Sequence, residues 1–116
     1  LLKRGGKVRT YKEKWACVSG YLEDDEPFDR AIREIEEETG ISASDLKFLR
    51  AMEKISFYDE NEKVEWEIYP FLFETDKEKI RIDWEHVEYR WVYPDEIDKY
   101  DTVPKLRELI NELLNQ

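Results

Sequence analysis

Three glutamates in one short stretch have the residue type and the spacing to do chemistry. Glu34, Glu37 and Glu38 stand at i, i+3 and i+4, and in a helix turning about 100° per residue they project within an arc of roughly 100°. Like charges at that spacing destabilise a helix by a few tenths of a kcal/mol per pair, so something must offset them. Two readings are open. One is a solvated acidic face relieved by Arg30 and Arg33. The other is a carboxylate nest for a hard divalent cation, Mg²⁺ or Mn²⁺, which prefers oxygen ligands and keeps several of its waters. Spacing alone does not choose between them.

The rest of the composition narrows the donor set. The 116 residues include one Cys and one His, which excludes an internal disulfide framework, a multi-thiolate metal site and a His-rich zinc site. Any metal must therefore be held mainly by oxygen. With 29 acidic and 19 basic side chains the net charge is −10; such a surface repels nucleic acid and favours a cation as partner. No apolar run reaches the roughly 20 residues that cross a bilayer, and no charged-then-apolar leader is visible. The expectation is no membrane partner and a cytoplasmic location. Lys, Glu and Arg are abundant while Asn, Gln, Cys and Met are scarce, a bias of proteins from hot environments, so a thermophilic source is a further expectation. The chain begins Leu1-Leu2-Lys3 with no initiator Met, in what reads as the second half of a strand, and N-terminal sequence is expected to precede it.

The glutamates need elements to position them. At 41% hydrophobic and 14% aromatic the chain can build one modest core, and no repeat, low-complexity tract or linker divides it, so residues 1–116 form a single domain. Pro27 and Gly40 are start and stop signals for a helix over residues 27–39. Phe28, Ala31, Ile32 and Ile35 recur at i, i+3, i+4 and i+7 and give that helix a core-facing stripe. Strand patterns cover residues 1–4, 7–11, 15–18, 47–57, 63–74, 80–82 and 87–92, with a turn at residues 59–62. A helical turn is expected over residues 94–100, and Val103, Leu106, Leu109, Ile110, Leu113 and Leu114 mark a C-terminal amphipathic helix. The order predicts an α+β fold, a mixed β-sheet packed between helices. Cys17 reads as a small buried hydrophobe. Lys3, Arg4, Lys7, Arg9, Lys12 and Lys14 form a basic strip that reads as a solvated hairpin or as a receiver of substrate phosphate. Trp15, Phe57, Tyr58 and Trp66 read as core or as base-stacking surfaces.

The order of residue types says more than the spacing. Arg33 to Ile41 reads REIEEETGI and resembles the R-E-U-x-E-E-x-G-U half of the Nudix box, where U is a bulky aliphatic residue; all the specified positions are met. Upstream, Ser19-Gly20-Tyr21-Leu22-Glu23 resembles the G-G-x-x-E start of that box, with Ser for the first Gly. The loop between is one residue short, which leaves open whether Asp24, Asp25 or Glu26 stands for the first box glutamate. The resemblance extends over most of the chain and implies a Nudix-type sheet sandwiched between helices.

It also implies an activity: metal-dependent hydrolysis of a nucleoside diphosphate linked to another moiety, a small-molecule nucleotide such as ADP-ribose, a dinucleoside polyphosphate or a nucleoside triphosphate. Carried over by position, Glu34 and Glu38 are metal ligands with Glu37 beside them, and Arg33 orients a box glutamate. The general base is a box glutamate or a distant acid, for which Glu85 and Glu88 are the candidates. His86 reads as a surface or hydrogen-bonding residue. The resemblance allows a homodimer, paired through edge strands or the C-terminal helix. A second reading is a Nudix-fold nucleotide-binding or regulatory module without catalysis, although such a module has no need of Glu34, Glu37 and Glu38. The isopentenyl diphosphate isomerase branch does not fit, because no matching Cys motif is present.

Overall fold

Pro27 and Gly40 bound the helix that carries the glutamates. A computed structural model describes residues 1–115, and in it α1 spans Pro27–Thr39, with Pro27 in its first turn. Gly40 adopts φ +78° and its N–H closes the last turn on Glu36 O at 2.9 Å. The left-handed conformation costs an L-residue about 1–2 kcal/mol. Gly40→Ala is therefore expected to lower stability by about that amount, read as a shifted denaturant midpoint with an unchanged slope.

The apolar stripe of α1 lies over a phenylalanine cluster. Phe28 meets Phe48, Phe71 and Phe73 with ring centroids 5.2, 5.6 and 5.7 Å away, the first two edge-on, the arrangement the ring quadrupoles favour. Those partners come from β3 (Lys47–Ala51) and β6 (Phe71–Glu74), which pair antiparallel. Between them β4 (Ile55–Asp59) and β5 (Val64–Ile68) form a tight antiparallel pair. The two long strands expected over residues 47–57 and 63–74 are thus one hairpin broken part-way. Ala51 faces Phe71 and Ile55 faces Ile68, so three residues oppose two, and Met52 N–H bonds Pro70 O across the irregularity.

Asp59 at the end of β4 organises the hairpin turn. It is buried and accepts from the backbone N–H of Asn61 and Glu62 at 3.0 and 3.2 Å, from the Trp66 indole N–H at 3.1 Å and from the Tyr11 hydroxyl. The Tyr11 bond, ahead of the others, holds its carboxylate below the usual range. The turn falls one residue later than expected, with Lys63 in the left-handed region at φ 57°.

A second unit joins β1 (Leu2–Arg4) to β2 (Trp15–Ala16) on one side and β7 (His86–Tyr89) on the other, all antiparallel. Parallel pairing among the described residues is confined to the bridge of Trp15 to Thr102. No strand forms over residues 7–11. Tyr11 and Glu13 take φ of 47° and 65°, which turns the chain, and the return begins at Lys14, whose carbonyl accepts from Arg4 N–H at 2.8 Å. Nor do residues 80–82 form a strand: Arg81 N–H is used on Thr39 O at 2.8 Å, tying that segment to the end of α1. The strand expected over residues 87–92 starts one residue earlier and stops at Tyr89.

A 3₁₀ turn over Pro94–Lys99 precedes α2 (Leu106–Leu114), which starts beyond Val103. Leu106 and Leu113 of α2 are buried with Leu2, Val8, Trp15, Ala16, Ile41 and Ile97. Cys17 corrects the expectation of burial: it is exposed, because β2 ends at Ala16 and the apolar run passes out of the ladder. The architecture is α+β. No helix among the described residues is long and apolar enough to cross a membrane.

Candidate active site

The most buried side chain at the end of α1 is an acid. Glu38 is 2% exposed; its Oε1 lies 3.7 Å from Nε2 of His86, and His86 Nδ1 meets Asp83 Oδ1 at 2.8 Å. Burial removes the Glu38 carboxyl from water, and Glu34, Asp83 and Glu85 add negative charge around it. Together they push its pKa up from 4.5 to about 9. The shift favours the protonated carboxyl, and Glu34, one turn earlier, is its largest contributor after burial.

Glu34 is fixed from the other side. Arg30, one turn before it, reaches Glu34 Oε1 at 3.1 Å, Asp25 Oδ2 at 2.8 Å and Glu23 Oε2 at 3.7 Å. Arg33, half exposed, approaches Asp25 at 3.6 Å. Arg30, which shares the helix face of Glu34 at the i, i+4 spacing, is the arginine against Glu34, while Arg33, expected to orient a box glutamate, faces the loop acid Asp25.

The three acids of the loop before the helix differ in where they point. Asp25 is turned inward onto both arginines, whereas Asp24 is exposed and Glu26, at the helix start, makes no side-chain cap bond. Burial acts to raise the Asp25 carboxyl, but backbone N–H donors and the Arg30 guanidinium outweigh it and hold it below the usual range.

Gly20 completes the cradle. A Cβ there would lie 2.2 Å from Glu34 Cδ and 2.3 Å from Oε1, so the backbone approaches the carboxylate more closely than any other residue permits.

The remaining expected residues are distributed unevenly. Glu37 is exposed, on the solvent side of the glutamate arc. Glu85 contributes to the field at Glu38, whereas Glu88 pairs with Arg90 at 2.9 Å. Among the described residues no three His, Cys, Asp or Glu side chains are gathered closely enough to hold a metal ion; the tight contact is the Glu34–Glu38 pair. His86 is buried and hydrogen-bonded, not on the surface. Of the basic strip, Arg4 turns onto Thr10 and Lys14 pairs with Asp101. Sequence reasoning missed Asp83 and the closeness of Gly20 to Glu34. The spacing of Asp83 and His86 at i, i+3 was a usable signal for the first.

The whole-chain match agrees with the box. The NUDIX domain family matches residues 1–113. The chain belongs to the Nudix family. A curated relative is dihydroneopterin triphosphate diphosphatase of Haemophilus influenzae, 32% identical over 96 residues, covering 67% of this chain and 56% of that protein. This Nudix chain therefore spans little more than half the length of that relative. Among solved structures, a Nudix hydrolase from M. smegmatis superposes with TM-score 0.81 at 16% identity, over 98% of this chain and 73% of the other. A C. elegans Ap4A hydrolase superposes with TM-score 0.79 at 16% identity, over 98% and 81%. At those identities the likeness is one of fold.

The chemistry of the Nudix box side chains fits a hard divalent cation. The donors are all carboxylate oxygens, and Glu34 and Glu38 are held together although only Glu34 has an arginine against it.

Proposed function

We propose that the protein is a pyrophosphohydrolase that splits a diphosphate linkage in a nucleotide-type substrate and needs Mg²⁺ or Mn²⁺ to do so. The observation that carries this reading is the Glu34 carboxylate packed against Gly20, one turn before the buried acid Glu38 that it influences. The names of the relatives, a triphosphate diphosphatase and an Ap4A hydrolase, agree with it.

A diphosphate is polyanionic, and a chain of net charge −10 repels it unless a cation lies between carboxylate and phosphate oxygens. Glu34 and Glu38 would hold that cation, with Glu37 at the open side. When bound, such a cation would supply charge neutralisation of the diphosphate and a lowered pKa for water. Arg30, Asp25 and Arg33 keep Glu34 in place. The oxygen of water bonds to phosphorus, the bridging P–O bond breaks, and the departing phosphate takes the electron pair. Glu85, in the field of Glu38, takes the proton of the water in preference to Glu88, which is tied to Arg90.

The test is a panel of ADP-ribose, dinucleoside polyphosphates, sugar nucleotides and nucleoside triphosphates, each incubated with the protein and Mg²⁺ or Mn²⁺. Phosphate-bearing products are expected from at least one substrate, and none after chelation of the metal. No product from any of them would favour the nucleotide-binding or regulatory module.

A further inference from the structure

Tyr21 follows Gly20 directly, so its ring begins one residue from the point where the backbone presses on the Glu34 carboxylate. It is 70% exposed, yet its ring lies against Trp66, with centroids 5.9 Å apart and 32° between the planes. Trp66, in the middle of β5, is half-buried, and its indole N–H is committed to Asp59. Asp59 is itself buried and takes the Tyr11 hydroxyl and two backbone donors besides. Swinging Trp66 away would leave the indole donor and the carboxylate short of a partner, which is costly in a buried place. The result is a solvent-facing phenol ring, backed by an anchored indole, at the edge of the carboxylate cluster. Cleavage of a diphosphate makes no use of it.

We propose that Tyr21, backed by Trp66, is the platform on which the planar heterocyclic base of the substrate stacks, with Asp59 the positioning residue that holds Trp66. The proposal rests on the reading of the neighbouring carboxylates as the diphosphate site. A base held between the two rings would need them about 7 Å apart, two stacking gaps of about 3.5 Å each. They are 5.9 Å apart, so the base lies on the outer face of Tyr21. Stacking of this kind uses the π-face that every base has. The platform therefore favours nucleotides over base-free polyphosphates without strongly sorting one base from another.

The experiment compares binding of methylene-bridged, uncleavable ATP and GTP analogues with binding of inorganic tripolyphosphate, by calorimetry in Mg²⁺. The wild type should bind the nucleotides more tightly. Tyr21→Ala should weaken nucleotide binding by about 5- to 150-fold and leave tripolyphosphate binding unchanged, and Tyr21→Phe should keep the wild-type preference. Asp59→Asn should lose part of the same preference, and Tyr11→Phe, which removes one donor to Asp59, serves if the first variant does not fold. Equal weakening of nucleotide and tripolyphosphate in Tyr21→Ala would overturn the proposal. So would unchanged nucleotide binding in that variant, or a wild type without any preference for nucleotides. The hydrolase reading fails on a different readout, the absence of phosphate product, so the two failures are separable.

Discussion

Glu38→Gln lowers turnover by about 100-fold or more, while the metal-free variant melts at a higher temperature than the wild type. The two effects share one cause. The amide keeps the shape of the side chain and can still donate to Glu34, but it has no charge for burial to penalise and none to offer a cation. The pH dependence follows from the proton that Glu38 retains. In the folded protein it is held up to about pH 9, and the unfolded chain releases it near 4.5. Between those values the folded state binds more protons. The stability from this group is complete below 4.5 and is lost as pH rises towards 9. Melting curves across that window, without divalent cation, should fall with pH in the wild type and stay flatter in the variant. Mg²⁺ competes with the same proton, so the stabilisation it confers on the wild type should grow with pH. Full turnover in the variant, or parallel pH profiles, would remove Glu38 from the metal site.

Gly20→Ala is expected to damage catalysis far more than folding. The added methyl would sit 2.2 Å from Glu34 Cδ, and what yields is the end of a flexible side chain, not backbone. Glu34 moves off its hydrogen bond to Glu38 and its ion pair with Arg30. A misplacement of about 1 Å can cost a catalytic group about 100-fold in rate. The ion pair is part-buried, but Arg30 keeps Asp25 at 2.8 Å, so no lone buried charge is left and melting shifts by only about 10 °C or less. Gly6→Ala is the control, since nothing lies within 4 Å of a Cβ there. Steady-state kinetics and thermal melts on the two variants check the contrast. A Gly20→Ala protein with wild-type kcat would show that Glu34 is free to stand elsewhere.

The helix was legible because its punctuation is local. Pro27 and Gly40 act within one turn of themselves, and the observed limits of α1 are the expected ones. The order Arg33 to Ile41 carried the family for a similar reason: it is contiguous. What was not legible depends on partners distant in sequence. The i, i+4 spacing of Arg30 and Glu34 is a local signal for their pairing, but nothing local reveals that Asp25 turns inward onto both Arg30 and Arg33. Alternation over residues 47–57 and 63–74 gives two strands, but not the mismatch of three residues against two that breaks the hairpin. The left-handed φ at Tyr11 and Glu13 removes a strand that a basic, β-tolerant stretch otherwise suggests. Asp83 was not singled out, and the burial of His86 was left open, because a charged segment without periodicity carries no mark of which face it buries.

The bond from Arg81 N–H to Thr39 O has a mechanical consequence. It moors the segment leading to Asp83, Glu85 and His86 to the last turn of α1, where Glu38 sits. Unwinding that turn releases the segment, and lifting the segment exposes the carbonyl of that turn. The acids of the cluster therefore belong to one cooperative opening unit, and the protein gives up this corner in a single event or keeps it whole.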